Sequence, residues 1–191
     1  NLVPRIAVNI SAKAICQPDL IASIRSTLLE TGLAPSRLEL EVTETALIHD
    51  LSRALHNLRQ IKARGISIAM DGVGIGYSSL SLLNSFPFDR IKIDKSFIQL
   101  AGSNPRADAI FHTIIGLGSA LGIPVLVEGV ENSGHLDFAK NSGCEEVQGF
   151  HFCQPITAAA LNEIFGSLAE PIQFDAVKRW QDIVCQQALR A

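Results

Sequence analysis

The sequence predicts an α/β fold: a TIM-type (β/α)8 barrel lacking about its first two strand units, plus a C-terminal helix. Three observations lead there. Apolar runs bounded by turn residues alternate six times with helix-period segments, which implies a parallel sheet with right-handed crossovers. Within each predicted strand, one parity is large and apolar while the other is small, polar or charged. The chain has 191 residues, enough for six units at about 32 residues each, whereas a complete barrel of eight needs about 250.

The elements follow in order. A first strand from Arg5 to Ile10 sets Val8 and Ile10 against Ala7 and Asn9, and a helix begins after Pro18 and ends at Gly32. The second strand, Leu38 to Val42, alternates Leu38, Leu40 and Val42 with Glu39 and Glu41, and its helix covers Asp50 to Arg64. The third, Ile66 to Asp71, sets Ile66, Ile68 and Met70 against Ser67, Ala69 and Asp71, before a helix from Tyr77 to Ser85. The fourth, Arg90 to Asp94, opposes Ile91 and Ile93 to Lys92 and Asp94, and its helix spans Arg106 to Leu121. The fifth runs from Pro124 to Glu128 and the sixth from Glu146 to Gly149, with helices from Ser133 to Asn141 and from Thr157 to Leu168. Residues 1–170 form the barrel unit. In 171–191, Phe174, Val177, Ile183 and Val184 fall at helical spacing with Trp180, an amphipathic helix for packing on the domain or a partner.

Parity separates the two parallel designs. An open doubly wound sheet is covered on both faces, so its strands are apolar at odd and even positions alike. A closed barrel instead puts the apolar parity under the helix ring and the polar parity in the lumen. Composition narrows the function classes. With 47% hydrophobic residues, 18% charged and a net charge of −3, the chain can build a core and has no bulk field to attract a nucleic-acid polymer. Residues 109–127 carry no charged side chain, yet their glycines, His112 and Pro124 and a change of period read as a buried helix followed by a strand, not a membrane span. Cys16, Cys144, Cys153 and Cys185 show neither zinc spacing nor a disulfide framework, favouring a reducing, cytoplasmic setting. The opening Asn1-Leu2-Val3-Pro4 has no signal-peptide pattern, and the chain reads as an excised piece.

The polar parity places Asn9, Glu41, Asp71, Glu128 and Gln148 at the C-terminal strand ends, with Lys92 mid-strand and Glu44 just beyond Glu41. Carboxylates crowded together require protons or cations to share the site. Oxygen donors without Cys or His suit a hard cation such as Mg²⁺ or Mn²⁺. For any one of these residues alone, a buried ion-pair network is the preferred account.

The stretches Val8-Asn9-Ile10-Ser11, Glu41-Val42-Thr43-Glu44, Asp71-Gly72-Val73-Gly74-Ile75-Gly76-Tyr77-Ser78-Ser79-Leu80, Ile91-Lys92-Ile93-Asp94-Lys95-Ser96-Phe97, Glu128-Gly129-Val130-Glu131 and Gln148-Gly149-Phe150 resemble, in order and spacing, the EAL-domain family of cyclic-di-GMP phosphodiesterases. The resemblance implies a barrel holding two divalent cations, Mg²⁺ or Mn²⁺, that hydrolyses cyclic-di-GMP to pGpG. It implies that Asn9, Glu41 and Asp71 bind a first metal, that Asp71 bridges to a second, and that Glu128 is a second-metal ligand or proton acceptor. Lys92 resembles the lysine that orients the hydrolytic water, Glu44 the residue that steadies the following loop, and Gln148 a support of the distal site. The loop from Gly72 to Ser79 resembles a lid coupled to dimerisation, and sensory or diguanylate cyclase-like domains are expected beside such a module, with any membrane attachment left to them.

Two departures bear on activity. The name-giving Glu-Ala-Leu ligand motif is absent, consistent with two missing units, and Gln187-Ala188-Leu189 sits in a helical context that does not match. Where the family has two consecutive Asp residues, the second position is Gly72, which has no side chain to bind metal. The expectation is therefore a catalytically impaired chain that serves as a cyclic-di-GMP-binding or signalling module. Two other readings stand beside it: an active phosphodiesterase when the upstream segment is present, and a ligand-free scaffold. A rival class is dinucleotide-cofactor binding by Gly72, Gly74 and Gly76 with Asp94 about 20 residues on, although the spacing is GxGxG.

Overall fold

The computed structural model describes residues 5–48, 50–74, 79–157 and 159–161. Strands β1 (Ile6–Ile10), β2 (Leu38–Thr43), β3 (Ser67–Val73), β4 (Arg90–Ile93), β5 (Val125–Val127) and β6 (Glu146–Val147) form one sheet. Every pairing is parallel, and the spatial order is β1-β2-β3-β4-β5-β6. This order is the barrel's own winding. A doubly wound sheet would reverse direction at a switch point, and none occurs among these strands.

Helices α1 (Ala12–Ile15), α2 (Leu20–Thr31), α3 (Glu44–Ile48), α4 (Leu51–Lys62), α5 (Ser79–Ser85), α6 (Lys95–Gln99), α7 (Pro105–Leu121) and α8 (Ser133–Asn141) connect the strands, with a 3₁₀ turn at Pro35–Arg37. Their starts follow the local chemistry. Asp50 caps α4 by accepting from the Arg53 amide at 3.1 Å, and Asn132 caps α8 by accepting from the His135 amide at 2.9 Å. Asn104 takes both the Arg106 and Ala107 amides ahead of α7. Each such cap is worth about 1 kcal/mol. The uncharged stretch does become a helix, α7, and then the buried strand β5, and among the described residues no helix is long and apolar enough to cross a membrane.

The core lies between helices and sheet and is built from the apolar parity: Leu38, Leu40, Val42, Ile68, Met70, Ile91, Ile93, Val125 and Val127 are all buried. Ring pairs close the gaps at the helix layer, Phe86 against Phe88 at 4.8 Å and Phe111 against Phe138 at 5.2 Å between centroids. The lumen parity of β2 and β4 is equally enclosed, so Glu39, Glu41 and Lys92 are buried beside the apolar core. By contrast the outer face of β1 stays open, with Ile6 and Val8 each more than 40% exposed.

The structure departs from the sequence expectation mainly in short elements. The turn at Pro35–Arg37 and helices α1, α3 and α6 span three to five residues, too few to display a 3.6-residue period. Strand β3 also continues two residues past Asp71 to Val73. Of the helix expected from Thr157 to Leu168, residues 159–161 are helical and Thr157 is not; residue 158, residues 162–168, the lid residues 75–78, His49 and the segment 171–191 lie outside the described residues.

Candidate active site

Strand register brings the polar side chains together. Asn9 of β1 lies opposite Glu41 of β2, Thr43 lies opposite Asp71 of β3, and Lys92 of β4 lies opposite Leu126, two residues before Glu128. Lys92 is the hub. Its Nζ donates to Glu41 Oε2 and to Glu128 Oε1, each at 2.6 Å, with the lysine side chain 4% exposed. Burial by itself would push the Lys92 ammonium toward neutrality, but the hydrogen bonds and charges of Glu128 and Glu41 outweigh it and hold its pKa above the ordinary value. The same balance runs the other way at Glu128. Burial raises its pKa, Lys92 pulls it back, and the charges of Asp71 and Glu41 push it up again, leaving it above the usual carboxylate value.

Asp71 reaches this group through a bulge. Met70 pairs with Ile91 and Val73 with Ile93, so Asp71 and Gly72 together oppose the single residue Lys92. Gly72 supplies the left-handed conformation, φ +70°, that such an inserted residue requires. The bulge lets Asp71 stay on the polar side while Val73 returns to the apolar side, where it is 2% exposed. A glycine at 72 is thus a backbone device as well as a lost carboxylate. The signal was legible: the apolar parity switches from Met70 to Val73 across a glycine.

A second ionic cluster, which the residue-type argument missed, sits lower in the barrel. Glu39 accepts from Arg5 Nη1 at 3.1 Å and pairs with Arg90 Nε at 3.1 Å, and Arg90 also pairs with Glu146. Two arginines and two glutamates neutralise one another there. They share the lumen parity of the upper residues, and opposite charges at matching depth were the available clue.

The EAL domain family matches residues 1–155. The chain belongs to the EAL domain family. It is 50% identical over 157 residues to an uncharacterized signaling protein of Caulobacter vibrioides, covering 82% of this chain and 19% of that protein. Among solved structures it is similar to the MucR phosphodiesterase of Pseudomonas aeruginosa in complex with c-di-GMP, with a TM-score of 0.78, 38% identity, and coverage of 82% of this chain and 64% of that one. It is also similar to Klebsiella pneumoniae BlrP1 in a manganese/cy-diGMP complex, with a TM-score of 0.74, 32% identity, and coverage of 79% and 39%. The chain spans about a fifth of the length of the first curated relatives it matches.

Membership in the EAL family fixes the arc of six strands as part of an EAL TIM barrel, in a family whose solved structures include metal and c-di-GMP complexes. Asn9, Glu41, Asp71, Lys92 and Glu128 gather at one end of that arc. Gln148 sits at its margin: its side chain is exposed, while its backbone joins Val127 O at 2.8 Å and Val130 N at 3.1 Å. Glu44 is buried and partnered at the start of α3. The rival cofactor reading fails on geometry. Asp94 caps α6 by accepting from the Ser96 amide at 2.8 Å, and Gly72 lies inside a strand bulge rather than in a loop opening a helix.

The upper cluster suits a hard divalent cation by donor type and by charge. Its donors are carboxylate and amide oxygens, and three carboxylates against one ammonium leave surplus negative charge. Among the described residues no three His, Cys, Asp or Glu side chains already stand in a gripping arrangement. Two of the carboxylates are drawn onto Lys92 instead, so taking up a cation would mean sharing them.

Proposed function

We propose that this chain is a cyclic-di-GMP phosphodiesterase module whose Mg²⁺ or Mn²⁺ ions are held by Asn9, Glu41, Asp71 and Glu128. The observation that carries the reading is the convergence of Glu41 and Glu128 on a buried Lys92 at 2.6 Å, with Asp71 acting on the same group. Bound divalent cations would supply Lewis-acid polarisation of the scissile phosphodiester. In hydrolysis, water oxygen bonds to phosphorus, one P–O ester bond breaks, and a proton passes to the departing ribose oxygen. Glu128, paired with Lys92 at 2.6 Å, is the group to hold the second ion or to take the water proton. Lys92 orients the nucleophile and offers a fixed positive charge to the pentacoordinate anion. Gln148 lines the distal side of the dinucleotide site, and Glu44 supports the loop beyond β3.

Gly72 removes one anionic ligand relative to the family motif, so binding is expected to outlast turnover. Calorimetry with cyclic-di-GMP and Ca²⁺, beside hydrolysis assays in Mg²⁺ and Mn²⁺, tests the reading. Binding with slow formation of pGpG supports it. Absence of both binding and turnover defeats it and leaves the scaffold reading.

A further inference from the structure

We propose that Phe97 is a positioning residue: its ring fixes where the Asp71–Gly74 strand end stops and so keeps Asp71 in register with Lys92 and Glu128. The claim rests on the phosphodiesterase reading only in naming Asp71 as a ligand. Helix α6 begins three residues after Lys92 and is locked to β4 by its cap, with Asp94 Oδ1 accepting from the Ser96 amide and Asp94 O from the Phe97 amide at 3.2 Å. From this short helix two contacts reach the other ligand-bearing strand ends. A Cβ on Gly74 would lie 2.6 and 2.7 Å from Cε2 and Cζ of Phe97 and 3.0 Å from Cδ1 of Ile114. A Cβ on Gly129, the residue after Glu128, would lie 2.4 Å from Cβ of Lys95.

Both turns are therefore pressed flat against α6, one after Asp71 and one after Glu128. Phe97 is 9% exposed and Ile114 6%, so the ring cannot swing aside into solvent. Gly74 has φ +107°, a conformation open to glycine alone, so the backbone there has committed to this approach. The β3 bulge just upstream is the least regular part of the sheet and needs an external stop. One helix thus sets three strand ends against one another, carrying Asp71, Lys92 and Glu128.

The test compares Phe97→Ala with Phe86→Leu, a substitution in an equally buried ring pair away from the site. Phe97→Leu serves if the alanine variant does not fold. Three readouts are taken in folded protein below its melting temperature: amide exchange at residues 72–74, the Asp71 carboxyl carbon resonance, and Mn²⁺ affinity by electron paramagnetic resonance. Loss of the ring should speed exchange at 72–74 by about tenfold, shift the Asp71 carbon signal, and weaken Mn²⁺ binding by about tenfold. Phe86→Leu should move none of these. Unchanged exchange and an unchanged Asp71 signal in a folded Phe97 variant overturn the proposal, as does an equal response to Phe86→Leu. If the wild-type chain takes up no Mn²⁺, the cation reading falls, and the exchange and carbon signals still decide the role of Phe97.

Discussion

Replacing Lys92 with methionine isolates the central charge of the site while keeping most of the side-chain volume. At 2.6 Å each Lys92–carboxylate contact is worth about 6 kcal/mol gross at an effective dielectric of 20, most of it offset by desolvating the three charges. Deleting the ammonium leaves Glu41 and Glu128 facing each other without compensation, and removing one partner of a buried pair costs about 3–5 kcal/mol. Glu128 is a quarter exposed and recovers some hydration, which puts the expected loss near the lower figure, about 3 kcal/mol at pH 7. That is a fall in melting temperature of about 6–12 °C for a domain of this size.

The sign of the pH dependence follows from Glu128. Its folded-state pKa is already raised, so the protonated form favours the folded chain: this contribution is full below the unfolded pKa and is lost as pH rises through the folded one. Without Lys92 the pulling-back interaction is gone and the pKa climbs further. Urea unfolding at pH 7 and pH 5 should show Lys92→Met regaining much of its deficit at pH 5, and Mg²⁺ should stabilise the variant at pH 7. Equal stability to wild type at pH 7, or a deficit that ignores pH, would refute the electrostatic account of the site.

Other consequences can be measured alongside. Glu39→Ala leaves Arg90 with Glu146 alone and Arg5, half exposed, to solvent, and should cost about 1–2 kcal/mol in urea unfolding, with cyclic-di-GMP affinity unchanged because the cluster lies below the site. Gly149→Ala would place a methyl 2.2 Å from the Val130 carbonyl oxygen; it should lower stability by about 2 kcal/mol and weaken cyclic-di-GMP binding by displacing Gln148, both visible by melting and calorimetry. The Cys144 thiol is buried and pushed up to about 11, so it should resist a disulfide reagent at pH 8. Because its folded value exceeds the ordinary 9.0, its contribution to stability is present below pH 9 and lost toward pH 11, and Cys144→Ala should flatten that alkaline decline.

Much of this fold was legible because a barrel strand writes its two faces into alternate positions. Leu38, Leu40 and Val42 against Glu39 and Glu41 gave both the outer core and the lumen. The candidate site residues stood out for the same reason, since Asn9, Glu41, Asp71, Lys92 and Glu128 all occupy the polar parity. What stayed hidden depends on pairing between elements far apart in the chain. Nothing local to Glu39 says that Arg90 will meet it, and nothing in Lys95–Gln99 shows that a five-residue helix will brace two glycine turns. Gly72 lies between these cases: the missing carboxylate could be read directly, while the left-handed bulge required noticing that Val73 resumes the apolar parity one residue late.

The sequential strand order also shapes how the chain finds its structure. Among the described residues each strand pairs only with its neighbours in sequence, so the five parallel pairings each close a loop of about 20 to 35 residues. Contacts of intermediate range repeated along the chain let assembly start at any neighbouring pair and spread in both directions. Because β2, β3 and β4 lie in the middle of the order and bury Leu40, Val42, Ile68, Met70, Ile91 and Ile93, the strands carrying Glu41, Asp71 and Lys92 are the natural place for that growth to begin.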